Sequence, residues 1–130
     1  MPITALYASL LVPIFIVLCA RVIRVRKGER VSVGDGGSVS LLRRMRVQAN
    51  FAEYVPLALI LMAVAESLRT QMWILHTLGI MLVVARLAHA IGMSSEKDVF
   101  PMRAFGMVLT FTVLGALGLI CFLGSLRNVI

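Results

Sequence analysis

The sequence predicts an all-α membrane protein built as a four-transmembrane-helix bundle, and three observations carry that reading. Of the 130 residues, 60% are hydrophobic, and the mean hydropathy is +0.97, which is more apolar surface than a soluble domain of this size can bury. Four apolar stretches, read as helices over about 3–25, 41–67, 72–93 and 102–126, approach or exceed the roughly 20 residues needed to cross the hydrocarbon core. No long alternating strands occur, which argues against a membrane barrel. Residues 1–130 therefore read as a single domain.

The first helix opens with 18 uncharged residues, Ile3 to Ala20, and its charges (Arg21, Arg24, Arg26, Lys27) come after the apolar run. A cleavable signal has its basic region in front, so this segment reads as an anchor. Val31-Ser32-Val33-Gly34-Asp35-Gly36-Gly37 reads as a tight turn, because it lacks the spacing, lysine and preceding strand of a phosphate-binding loop. The second helix carries Asn50 and Glu53 and contains Pro56; Pro13 lies in the first helix. Each proline removes a backbone hydrogen bond and is expected to bend its helix, and a bend at Pro56 would open space beside Asn50 and Glu53. A short link around Glu66 to Gln71 makes helices two and three antiparallel neighbours. The third helix ends with Arg86 and His89. The loop Ser94 to Pro101 holds Glu96, Lys97 and Asp98, with Ser94 or Ser95 available as a cap. The fourth helix has 23 uncharged residues from Ala104 to Leu126, and its Gly115 and Gly118 are expected to allow close helix approach.

Charge sets the topology. Of 13 Lys and Arg, the first and third loops with their flanks hold 11, while only Arg69 and Arg127 lie on the other side. The positive-inside rule places the first and third loops in the cytoplasm and both termini outside. A net charge of +7 is also common in nucleic-acid binders, but charges gathered at helix ends rather than on a basic domain exclude that reading. Contact with anionic headgroups and topology signalling account for Arg21, Arg26, Lys27, Arg30 and Arg44. The two cysteines, Cys19 and Cys121, fall near opposite ends of the bundle, so a disulfide within one chain is excluded. His76 and His89 sit toward opposite ends of helix three and cannot share a metal. With no HExxH or CxxC, no metal site is expected.

The polar groups within the spans point to function. Arg43, Arg46, Asn50 and Glu53 are separated by steps of three and four, which places them on one helical face. Topology brings Arg24, Arg86, His89 and Arg103 to the same leaflet. Arg24, Arg46, Arg86 and Arg103 then face one acid, Glu53. Unpaired buried ions are costly, so the surplus points to an anionic ligand, and arginine forks suit carboxylates. Arg46 and Glu53 are about 10 Å apart along the axis, which fits an extended peptide-like ligand with carboxylates and one amine. Glu53 would take the amine, while Asn50 would donate to a carbonyl or orient Arg46. The competing structural reading pairs Glu53 with Arg46 or Arg86 and lets the other arginines snorkel to headgroups; His89 taken alone is more often a buried hydrogen-bonded side chain.

Arg46-x-x-x-Asn50-x-x-Glu53 resembles the signature helix of the MAPEG proteins, the membrane-associated proteins in eicosanoid and glutathione metabolism. Arg86-x-x-His89, Pro101-x-Arg103 and Arg24 fit the same pattern. The Gly34-Asp35-Gly36-Gly37 loop and the run Asn50-Phe51-Ala52-Glu53-Tyr54-Val55-Pro56 resemble the small bacterial inner-membrane branch. The resemblance implies a homotrimer of four-helix chains, with glutathione as co-substrate at the interface between chains and hydrophobic molecules or lipids arriving from the bilayer. It assigns Arg24, Arg46, Asn50, Glu53 and His89 to glutathione binding, joined by Arg86 from the charge argument. It also assigns Arg103 to holding the thiolate in a transferase or peroxidase reaction.

Two positions depart from the catalytic pattern: Met93 and Ala104 stand where some members carry tyrosine and serine, and neither donates a hydrogen bond to sulfur. The alternative is therefore a non-catalytic membrane protein that binds glutathione or lipid. A small multidrug-type transporter is a third reading, disfavoured because Glu53 lies among arginines in helix two and Trp73 is the only tryptophan.

Overall fold

The computed structural model describes residues 1–94 and 100–129, with side chains assigned for 1–93 and 100–127. The expected caps at Ser94 and Ser95 and the charges Glu96, Lys97 and Asp98 lie outside what is described. Four helices follow one another: α1 (Pro2–Glu29), α2 (Val39–Ser67), α3 (Met72–Ser94) and α4 (Phe100–Val129). All four are long and apolar enough to span a membrane, and the protein is an all-α membrane bundle. The helices outrun the apolar stretches because the flanking arginines favour helix as well as water.

Local chemistry explains the boundaries. Pro2 occupies the first turn of α1, where a missing N–H costs nothing. The Gly34–Gly37 segment turns back through three glycines with positive φ, Gly34, Gly36 and Gly37, and Asp35 closes it by accepting from Gly37 N at 3.0 Å. Arg26 ties this turn down by donating to Gly34 O at 2.8 Å, a packing role beyond topology signalling. Ser38 caps α2, its Oγ accepting from Leu41 N at 3.1 Å. At the far end of α2, Thr70 N bonds Ala65 O and Arg69 N bonds Glu66 O, with Arg69 in the left-handed region at φ 60°. This is a Schellman ending in which arginine holds the position usually taken by glycine.

The helices alternate in direction. The start of α1, the end of α2, the start of α3 and the end of α4 share one end of the bundle, as the contacts Thr4–Glu66, Tyr7–His76 and Leu68–Gly124 require. Both α1 and α4 pack on α2 and α3, and among the described residues they do not pack on each other. The core runs along the axis through Leu11, Leu18, Val47, Phe51, Met62, Leu75, Leu82, Val113 and Leu117. Many large apolar side chains remain exposed, including Ile16, Ile60, Phe111 and Phe122, which is the inverse of a soluble surface and suits lipid contact.

Two devices were not foreseen. Glu66 is bonded to the start of α1: its carboxylate accepts from Ile3 N at 3.0 Å, Thr4 N at 2.9 Å and Thr4 Oγ1 at 2.7 Å. A carboxylate from α2 thus satisfies otherwise orphaned donors of α1. The close helix approaches also differ from expectation. Gly115 and Gly118 face open space, whereas a Cβ at Gly106 would lie 2.6 Å from Ala85 O and one at Gly79 would collide with the Tyr7 ring. Small size matters where a residue faces another backbone or ring, and spacing along α4 does not reveal that.

Glu66→Ala should lower stability by about 0.5–2 kcal/mol, as loss of a helix cap does, measured by unfolding in detergent. Gly106→Ala should cost about 1–3 kcal/mol by overpacking, while Gly115→Ala should be neutral or stabilise by up to about 1 kcal/mol.

A polar cavity between α2, α3 and α4

A cavity of about 240 Å³ is lined by Arg46, Ala49, Asn50 and Glu53 of α2, His89 and Met93 of α3, and Arg103 and Met107 of α4. Helical spacing accounts for the set. Arg46, Asn50 and Glu53 recur at four and three, His89 and Met93 at four, and Arg103 and Met107 at four. Five of the seven residues proposed from sequence therefore meet on one wall: Arg46, Asn50, Glu53, His89 and Arg103. The other two do not. Arg24 is exposed on α1, which does not border the cavity. Arg86 lies behind the lining.

Arg86 is 1% exposed and is held by neutral groups. Its Nη1 donates to Asn50 Oδ1 at 2.8 Å. Its Nη2 donates to Thr110 Oγ1 and reaches Gly106 O at 3.4 Å, while Thr110 in turn donates to Gly106 O at 2.7 Å. The Tyr54 ring centroid lies 6.0 Å from Cζ, within range of a cation–π contact. No carboxylate pairs with Arg86 among the described residues, and its Nε has no partner there. The expected pairing of Glu53 with Arg46 or Arg86 does not form. Among the described residues, Glu53 makes no hydrogen bond or ion pair, and both Glu53 and Arg46 are exposed toward the opening.

This arrangement gives Asn50 a defined orientation. With Oδ1 taken by Arg86, the amide directs Nδ2 toward the Met107 sulfur at 3.5 Å, and Asn50 faces the cavity as a donor. His89 is buried at 4% exposure and still borders the cavity. The wall thus combines two guanidinium groups, one carboxylate, an amide donor and an imidazole, a set that can hold a small zwitterion rich in carboxylates.

Gly106, Met107 and Thr110 were missed from sequence. Their signal was present, since Gly106, Met107 and Thr110 lie three, four and seven residues beyond Arg103. It went unread because glycine, methionine and threonine in an apolar helix carry no distinctive chemistry. Pro56 itself lines an apolar cleft between α1 and α2, with Phe15 and Phe51; six residues beyond Asn50, it stands about 120° away around the helix.

Asn50→Leu should destabilise the protein by about 1.5–3 kcal/mol, since it strips a buried charged donor of its best acceptor. Glu53→Gln, which breaks no side-chain contact among the described residues, should change stability by less than about 0.5 kcal/mol. Thermal unfolding in detergent would measure both.

The sequence matches the MAPEG family model over residues 4–123. It is also 35% identical over 112 residues to inner membrane protein YecN of Escherichia coli, in each of two strains, covering 86% of this chain and 84% of the relative. A family match across nearly the whole chain, over a four-helix bundle that gathers the Arg46, Asn50 and Glu53 stripe with His89 and Arg103, makes this protein a member of the MAPEG family.

Proposed function

We propose that this protein binds glutathione in the cavity between α2, α3 and α4 and activates its thiol against hydrophobic electrophiles or lipid peroxides. The observation that carries the reading is the lining itself. Arg46 and Glu53, one turn to either side of Asn50, present opposite charges to the opening without pairing to each other. Glutathione offers two carboxylates, an ammonium, amide carbonyls and a thiol. Arg46 takes a carboxylate, Glu53 takes the ammonium, and Asn50 donates to a carbonyl.

Arg103 is the group assigned to the sulfur. A free thiol has a pKa near about 8.5, and a neighbouring cation lowers it; a site bounded by membrane strengthens that effect. The thiolate forms a carbon–sulfur bond with an electrophile while the leaving group departs with its electron pair. With a peroxide, the thiolate attacks the terminal oxygen and the alcohol is released. The resulting sulfenic acid is resolved by a second glutathione, giving the disulfide and water.

Family membership supports a homotrimer, and so does the open side of the cavity. Arg24 belongs to this site only if it arrives from a neighbouring subunit, because α1 of the same chain stands apart from it. The name of the Escherichia coli relative and the four spans support a multi-pass protein of a bacterial inner membrane. The skew of 11 basic residues against 2 supports cytoplasmic first and third loops, with both termini outside.

A second reading, binding of glutathione or lipid without turnover, is favoured by one observation. Met93 borders the cavity where some catalytic relatives carry tyrosine, so no hydroxyl reaches the sulfur from that position.

Calorimetry on detergent-purified protein should detect glutathione binding that Arg46→Ala and Glu53→Ala each weaken about tenfold or more, as expected for a lost charged contact. Arg44→Ala should bind normally. Equal losses in all three variants would make the stripe a stability element. Turnover of a chromogenic electrophile separates the two readings, since binding without turnover would leave only the second.

A further inference from the structure

A cavity of about 650 Å³ lies at the end of the bundle opposite the polar site. Its walls are Leu68, Arg69, Thr70 and Gln71 of the α2–α3 turn, Ile74 of α3, and Ile120, Leu123, Gly124 and Arg127 of α4. Arg69 and Arg127 are the two basic residues that charge counting set apart from the other 11, and tertiary structure brings both to this one cavity. Among the described residues neither guanidinium makes a hydrogen bond or ion pair. The one acid described at this end, Glu66, is committed to the start of α1, so among the described residues no carboxylate neutralises the two cations.

Arg69 adds an independent observation. It occupies the left-handed position of the Schellman ending, φ 60°, where glycine is the favoured residue. Arginine there strains the backbone slightly and projects a guanidinium from a fixed turn. The vertical order of the walls is also informative. The arginines, Thr70 and Gln71 stand at the helix ends, and Ile74, Ile120 and Leu123 continue into the span. Trp73, 66% exposed and bonded through its ring N–H to Gln71, marks the level of the membrane interface, where tryptophan concentrates.

We propose that this cavity is a phosphate-binding site for the headgroup of an anionic phospholipid. Arg69 and Arg127 hold the phosphate, and the first acyl carbons lie along Ile74, Ile120 and Leu123. Guanidinium groups suit phosphate oxygens, and the apolar lower wall favours a lipid ester over free phosphate. The site is separate from the glutathione cavity and does not depend on that assignment.

The test is native mass spectrometry of the full chain taken from mixed phosphatidylcholine and phosphatidylglycerol vesicles, alongside calorimetry with inorganic phosphate in lipid-free detergent. Wild type should retain phosphatidylglycerol, and the double variant Arg69→Gln/Arg127→Gln should retain it roughly tenfold to thirtyfold less, as two interfacial charges imply. Lys27→Gln/Arg30→Gln, with the same charge removed from the other end, loses only diffuse headgroup attraction and should retain several-fold more phosphatidylglycerol than the double variant. Arg69→Gly separates side chain from backbone: it should raise the melting temperature yet weaken lipid retention. No preference for the anionic lipid, equal loss in the control pair, or full retention in a folded Arg69→Gly variant would overturn the proposal. Inorganic phosphate bound as tightly as the lipid, and lost in the double variant, would overturn the lipid as its source.

Discussion

The guanidinium of Arg86 is the constraint around which the bundle is organised. A charge within a membrane span is costly, and this one is met by an amide, a hydroxyl, a carbonyl and an aromatic face rather than by a carboxylate. Each partner comes from α2 or α4, so a single side chain on α3 sets the register of three helices. Gly106 makes this possible. With no side chain there, α4 lies against the backbone of α3 at Ala85 and His89, close enough for Gly106 O and Thr110 to reach Arg86. The same contacts orient Asn50, so the packing of the membrane core and the donor pattern of the cavity share one origin.

Both terminal nitrogens of Arg86 are held by neutral groups, and Glu53 stays uncommitted among the described residues. Had the carboxylate turned inward to pair with Arg86, the cavity would hold cations alone and would lose its partner for an ammonium. A neutral shell around the buried arginine thus preserves a charged acceptor at the opening. Glu66 has the contrasting role. It is spent entirely on the start of α1, which joins that helix to α2 and, among the described residues, leaves the arginines at that end without an acid. Glu66 thus serves architecture, while Glu53 stands at the face of the cavity.

Much of this was readable in advance, and the exceptions have physical causes. The polar stripe of α2 was visible because charges in an apolar helix stand out and helical spacing shows which of them share a face. That Arg46, Asn50, Glu53, His89 and Arg103 would line one space followed from alternating helix direction. Arg86 was seen as polar but placed on the wall, because spacing gives the face of a helix and not its distance from a neighbour's backbone. Gly115 and Gly118 misled for the same reason: small residues permit close approach only where another helix is present. Glu66 was taken for a loop residue because its partners are sixty positions away in the chain.

What the sequence determined by itself was the number of helices, their spans, the charge asymmetry and the family pattern, all properties set by local hydropathy and periodicity. Which polar groups are consumed inside the chain and which remain for a ligand was decided only by tertiary structure. Hydrogen bonds and desolvation depend on distances between side chains remote in sequence, and packing alone supplies those distances.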